Sequence, residues 1–283
     1  MTRLRKIEWQ LDDAEKVDAK VRIHQRTAFA HTLKTLPMSI ESFRLEYIRE
    51  PPRDRTFEAP SILPADATGD ILSQELRRFS QRDGLKRLTV EASVDATILW
   101  PSSQISDSDP TWPTLEQFHI ALNEVLPSGE WIEIPDPEEE EENEEPNENE
   151  AEDERLNSEI PGEETAKWYG MLTYSPVHFE RFALATARAA NRMTRIKDLK
   201  VTYHGHVEVG IGFTSERRVY SRGKEPYLEF ASEHKFPELS EETLDVWRRT
   251  LKLKDLEWDV HFTDCGRAPT YHFERLNEIF VER

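Results

Sequence analysis

Two groups of side chains in the 283-residue sequence have the types from which a reactive or metal-binding centre could be made. The first is His204-x-His206. A period of two puts both imidazoles on one face of a strand, and imidazole is a common zinc ligand. Glu208 shares that face, but three residues at this spacing spread along about 13 Å of regular strand, too far for one ion. The spacing therefore favours exposed polar residues over a metal site. The second group, His261, Asp264, Cys265 and His272, gathers near the C-terminus. A thiol nucleophile needs a base in contact with it, and no motif of a thiol enzyme surrounds Cys265. It reads as a structural cysteine at the end of a strand.

Other reactive motifs are missing from the sequence. It has no G-x-S-x-G elbow, no H-E-x-x-H and no Walker-type loop. Gly210-Ile-Gly212 lacks the third glycine and the following helix of a dinucleotide fingerprint. With only ten glycines in the chain, a phosphate cradle has few places to form. No catalytic, cofactor-binding or metal-binding residue is assigned, and the expected class is non-enzymatic.

Fifty-six acidic against 37 basic residues give a net charge of −19. Thirteen of the acids and no base lie in residues 136–154, leaving −6 for the other 264 residues, an ordinary globular balance. The basic doublets Arg77-Arg78, Arg217-Arg218 and Arg248-Arg249 are scattered, so nucleic-acid binding is not expected. Arg77 and Arg78 read as a solvated helix face. One cysteine permits no intrachain disulfide and no cysteine-rich zinc site. The charged start Met1-Thr-Arg-Leu-Arg-Lys is unlike a signal peptide, and no apolar run approaches the roughly 18–20 residues of a membrane span. Cytoplasm or nucleus, with no membrane, is the expected location.

Four helices must position whatever surface does the work. Residues 10–35 read as the first, with Val17, Val21, Ala28 and His31 inward, Ile23 and Phe29 widening the stripe, and Leu36-Pro37 as the stop. Residues 70–81 follow, with Ile71, Leu72, Leu76 and Phe79 on one face and Asp83-Gly84 as the stop. The third spans about 176–193, and the fourth starts at Ser240 with Leu244, Trp247 and Leu251 inward. Each is followed by a strand patterned apolar-x-x-apolar-x-apolar: Ile40–Leu45, Leu85–Val90, Ile196–Val201 and Leu253–Trp258, with Leu115–Ile120 as a further copy. In leucine-rich repeats such a pattern sends alternate residues into the core while those between line an open sheet face. The spacings of 45, 30, 81 and 57 residues are irregular for that architecture, so the expected fold is α/β, an irregular leucine-rich-repeat-like solenoid of short parallel strands and helices. The alternative is an open α/β sheet whose buried strands share a pattern. Residues 199–213 alternate as one half-buried strand or a hairpin turning near Gly205, and Tyr227–Phe230 could add an edge strand. The loop between, with Arg217, Arg218, Arg222 and Lys224, reads as exposed.

Residues 136–164 are low-complexity glutamate and asparagine with few apolar side chains, too polar to offset chain entropy by burial. They are expected to be a disordered acidic insertion between an N-terminal half (1–135) and a C-terminal half (165–283) of one repeat-like body.

In order along the chain, several blocks resemble the uncharacterised ascomycete F-box proteins that have a leucine-rich-repeat-like body. They are Leu36-Pro-Met-Ser-Ile-Glu-Ser-Phe-Arg-Leu-Glu-Tyr47 with Pro51-Pro52-Arg53, then Asp70–Gln81 leading into Leu85–Val90 and Trp100-Pro101. Trp112-Pro113-Thr-Leu115-Glu116-Gln-Phe118 with Pro127–Trp131 comes next, then Ala187–Met193 and Glu241–Arg248. The resemblance implies a body that captures a protein substrate, while a separate F-box docks the adaptor of a cullin-type ubiquitin ligase. The 35 residues ahead of Leu36 are highly charged and lack a Leu-Pro-x-Glu opening, so no F-box is recognisable. Adaptor binding is expected only if an F-box is supplied. On this reading the protein-binding positions lie between the core residues of the strands: Arg44, Glu46, Arg87, Thr89, Gln117, His119, Lys200 and Glu257. The partner is a protein of unknown identity. An alternative use of the chain is to engage basic proteins through its acidic segment, since thirteen carboxylates create a strong local potential at low salt.

Overall fold

A computed structural model describes residues 4–14, 17–52, 59–65, 67, 69–101, 109–135, 172–204, 208–214, 227–232, 239–254 and 260–264. Its centre is an eight-stranded sheet in the order β1-β2-β3-β4-β7-β8-β9-β10. β1 (Lys6–Asp13), β2 (Ser42–Arg49), β3 (Arg87–Ala92), β4 (Gln117–Leu122) and β7 (Asp198–His204) run parallel, each beside its predecessor in the sheet. β8 (Glu208–Thr214) turns back antiparallel on β7 and pairs with β9 (Tyr227–Ser232), which runs parallel to β10 (Val260–Asp264). The hairpin expected near Gly205 is thus present, its turn lying outside the described residues. Tyr227–Phe230 is not an edge strand, because β10 lies beyond it.

Strand order follows chain order through the parallel part. Crossovers of one hand that always step the same way place their helices on the same side of a sheet. Contacts agree: Phe79 of α2 (Ile71–Ser80) packs 5.0 Å from Phe43, and Trp247 of α4 (Glu241–Leu253) lies 6.4 Å from Phe213. Between them α3 (Pro176–Arg192) contributes Phe179, Phe182, Ala183, Ala187 and Ala190 to the core. The four patterned strands β2, β3, β4 and β7 send Leu45, Val90, Ile120 and Val201, each at most 3% exposed, into that layer. The fifth pattern starts inside a helix, since Leu253 is the last residue of α4 and 71% exposed; residues 255–259 lie outside the described residues. Trp258 lies outside the described residues.

The N-terminal expectation needs two corrections. Residues 10–13, expected as the start of a helix, are the end of the strand Lys6–Asp13, because Ile7, Trp9 and Leu11 recur with period two and sit in register with Phe43, Leu45 and Tyr47. The first helix, α1 (Ala19–Thr32), then buries only part of the expected apolar stripe: Ile23 and Phe29 are half-buried, and the Phe29 ring packs on Trp9 and Tyr47. Val17, Val21, Ala28 and His31 are exposed, and its buried residues are Arg22, Arg26 and Ala30. Arg22 grips Asp13 with two hydrogen bonds of 2.5 and 2.9 Å. Arg26 grips Asp70 with two of 2.9 and 2.7 Å and also donates to the Ser93 carbonyl. Asp70 is at the same time the N-cap of α2, accepting from the Ser73 N–H at 2.8 Å. Burial disfavours the Asp70 carboxylate, but Arg26 and the Ser73 donors overcome it and hold this carboxyl below the usual range. Neighbouring Asp95 is pushed the other way by burial and by the Asp70 charge.

Arg77 is also a correction. Only Arg78 of that doublet is exposed; Arg77 is 2% exposed, because α2 is flanked by α1 on one side and the short Ala96–Ile98 turn on the other. The expected starts of the second and fourth helices hold: α2 starts after its N-cap Asp70, and α4 after its N-cap Ser240, which accepts from the Thr243 N–H at 3.2 Å. Leu244 is only half-buried, while Trp247 and Leu251 are core residues.

The expected halves 1–135 and 165–283 contribute to one sheet, since β4 pairs with β7. The acidic stretch is bracketed by a small antiparallel ribbon of β5 (Glu133–Pro135) and β6 (Leu172–Tyr174), in which Pro135 faces Leu172. Residues 136–164 themselves lie outside the described residues.

Candidate functional site

Strand register aligns most of the expected binding positions. Arg44, Thr89, His119 and Lys200 form one row across β2, β3, β4 and β7, extended by Glu8 of β1. Ser42, Arg87, Gln117 and Asp198 form the row before it, beginning at Lys6. Gln10, Glu46, Glu91, Ala121 and Thr202 form the row after. The parity of a strand requires all three rows to lie on the sheet face opposite the helices, because the residues between them are core.

This face is open at one end and closed at the other. Lys6, Glu8, Gln10, Arg44 and Arg87 are exposed, and Glu46, Thr89, Glu91, Gln117 and His119 are half-buried. At β7 the same rows reach Asp198, Lys200 and Thr202, which are 5%, 7% and 9% exposed. Lys200 therefore departs from the expectation of an exposed position. Its ammonium lies 3.7 Å from the Asp198 carboxylate, which in turn meets Nε2 of His119 at 3.0 Å. Asp198 thus gathers two of the expected residues at the closing edge of the open face. Glu257 lies outside the described residues.

Charge on the open face is mixed in sign. Arg44 donates from Nε to Glu46 at 2.8 Å, and Lys6 pairs with Glu8 at 2.7 Å. The Lys6 hydrogen bond and charge hold the Glu8 carboxyl below its ordinary range. Glu46 and Glu91, by contrast, stand side by side in register. Burial, and secondarily the Glu46 carboxylate, push the Glu91 carboxyl up, with Arg44 opposing. A basic side chain placed over this pair would offset the repulsion between the two carboxylates. Arg44 and Arg87 can in turn offer forked donors to a carboxylate. Lys6, Glu8, Gln10 and Glu91 belong to this face but were not among the expected residues. The alternation Lys6-Ile-Glu-Trp-Gln-Leu-Asp12 was the signal for the first three.

A cleft of about 660 Å³ opens elsewhere, between residues 59–61, 128–135 and 172–178. Gly129, at φ +96°, is required there, because a Cβ would lie 2.1 Å from the Ala59 carbonyl oxygen. Burial pushes the His178 imidazole below the usual histidine range, against the pull of Glu130. Ser128 is tied to Glu130 at 2.7 Å, and no hydrogen bond joins His178 to a hydroxyl or carboxylate among the described residues. Nucleophile and base are therefore not brought together there.

His204 ends β7 opposite Glu208, and His261 and Asp264 lie on β10. His206, Cys265 and His272 fall outside the described residues. Among the described residues no three His, Cys, Asp or Glu side chains are placed to hold a metal ion. Nor is any helix among them long and apolar enough to cross a membrane. Compared with family models, curated proteins and solved structures, the chain gives no match.

Proposed function

We propose that the chain is a non-enzymatic protein-recognition scaffold, its parallel strands forming a leucine-rich-repeat-like body whose open sheet face receives a protein partner. The observation that carries this reading is the set of three in-register polar rows on β1–β4, exposed on a face that the helices leave bare. Strand order is a second support. In open α/β sheets small ligands bind where the order reverses, and β1, β2, β3, β4 and β7 have no reversal. The partner's surface presents a carboxylate to Arg44 and Arg87 and a lysine or arginine to the Glu46–Glu91 pair. On the resemblance to fungal F-box proteins, that partner is a substrate destined for ubiquitylation, in the cytoplasm or nucleus, and a ligase adaptor binds only through an F-box supplied from elsewhere.

A photo-crosslinking amino acid at Thr89, on the open face, tests the reading against the same group at His24, on the outer surface of α1. In fungal lysate Thr89 should yield discrete protein adducts that Arg44→Glu/Arg87→Glu abolishes. Equal adducts from both positions, surviving that double substitution, would refute the open face as the binding surface. Recovery of cullin-ligase components with the chain tests the ubiquitin link separately.

A second reading rests on the ribbon in which Pro135 faces Leu172, so that the described residues on either side of 136–171, the interval that holds the acidic stretch, meet at one place on the body. In this reading the carboxylates of residues 136–154 engage a basic protein. Deleting 136–154 should then remove a salt-sensitive interaction; an unchanged interaction would leave the stretch as a spacer.

A further inference from the structure

β1 forms one edge of the sheet, and among the described residues no strand lies beyond it. It is eight residues long, with no proline and no glycine, the devices that usually blunt an edge being reduced to its charges. The Arg5 and Asp13 carbonyls accept from Ser42 and Glu50 on the β2 side, at 3.1 Å each. Backbone direction alternates along a strand, so Lys6, Glu8, Gln10 and Asp12 turn their N–H and C=O groups toward the open edge.

The side chains of this edge are complementary to themselves. In an antiparallel pairing of two copies centred on Trp9, Lys6 meets Asp12, Glu8 meets Gln10, Ile7 meets Leu11, and Trp9 meets Trp9 on the two-fold axis. Every residue with outward backbone groups then faces another of the same kind, as hydrogen-bonded pairs require. Shifting the centre by one residue toward the N-terminus sets Glu8 against Glu8; shifting it one residue the other way sets Glu8 against Asp12. Like charges directly opposite are unfavourable, so both neighbouring registers are penalised. Leu4, 51% exposed, would meet Ala14 in the favoured register. The apolar row supports the same pairing. Phe43 and Leu45 are at most 1% exposed, yet their β1 neighbours Ile7 and Trp9 remain only half-buried, as does Leu11. Apolar area is thus left at the edge on the helix side, where a partner's equivalent residues would cover it.

We propose that β1 is a homodimerisation edge: two copies pair antiparallel through Lys6–Asp12 about Trp9, joining their sheets into one and their open faces into one continuous surface. Isologous closure of this kind uses up both edges and stops at two.

Sedimentation equilibrium of the full chain, from about 1 to 100 µM, should show mass approaching twice 33.1 kDa. Lys6→Glu should raise the dissociation constant about tenfold, since it creates two like-charge pairs, and Asp12→Lys should do the same. The double variant Lys6→Glu/Asp12→Lys should return it to within about twofold of the original, because the pairs are restored with signs exchanged. Gln10→Pro removes an N–H that points away from β2 and should leave the chain monomeric with its circular dichroism unchanged. A chain monomeric throughout this range overturns the proposal, including the case in which a strand of another protein occupies the edge. So does a dimer indifferent to Lys6→Glu, or one that the charge exchange does not restore.

Discussion

On the helix side of the sheet Phe43, Leu88, Phe118 and Leu199 stand in one row, each at most 1% exposed. One residue further along each strand, Arg44, Thr89, His119 and Lys200 pass from exposed to buried. The first row is uniform because each strand repeats the same packing problem beneath the helices. The second varies because nothing in the strand–helix layering requires it to be covered. This contrast separates the surface that holds the molecule together from the surface free to bind, and substitutions on the two sides should differ accordingly.

The largest effect is expected under the helices, at Arg26. Arg26→Ala would leave Asp70 buried without its counter-ion, at a cost of about 3–5 kcal/mol in the free energy of unfolding by urea. Leu88→Ala, on the uniform row, should cost about 2–5 kcal/mol by the same measurement. His178 gives a smaller, pH-dependent effect. Its folded pKa is depressed, so below the unfolded value of about 6.5 the unfolded chain binds a proton that the folded chain resists. Stability should therefore fall as pH drops from 7 toward 5, and His178→Gln should make that fall shallower. The Asp70 contribution has a different window. Its depressed carboxyl stabilises the fold above the unfolded pKa of about 4 and is lost as pH falls through the folded value. The smallest effect on stability is expected on the open face, where Arg44→Glu/Arg87→Glu loses the Arg44–Glu46 pair and adds like charge near Glu91, and should cost about 1 kcal/mol.

Where apolar periodicity decided the structure, the sequence was readable. The strands β2, β3, β4 and β7, the extents of α2 and α3, and the start of α4 at Ser240 all follow from spacing and local chemistry. Reading failed where charge took the place of apolar contact. α1 packs through Ala30 and the Phe29 ring, but its other buried residues are Arg22 and Arg26, whose partners Asp13 and Asp70 are 9 and 44 residues away in sequence. A hydrophobicity pattern carries no sign of such pairs, and it instead favoured Val17 and Val21, which face solvent. α3 shows the opposite case, with its alanines and phenylalanines marking the buried side directly. The candidate site was legible as a set of rows, because period two fixes which residues share a face. Its limit at β7 was not, since the burial of Lys200 and its approach to Asp198 depend on tertiary structure.

In the proposed division of roles the open face binds a protein while the helix side maintains the fold. The most direct test of that division measures thermal unfolding and Thr89 crosslinking together in Arg44→Glu/Arg87→Glu. A melting temperature lowered by no more than about 4 °C, with loss of the adducts, is the predicted result; adducts that persist in the folded variant would refute the open face as the binding surface.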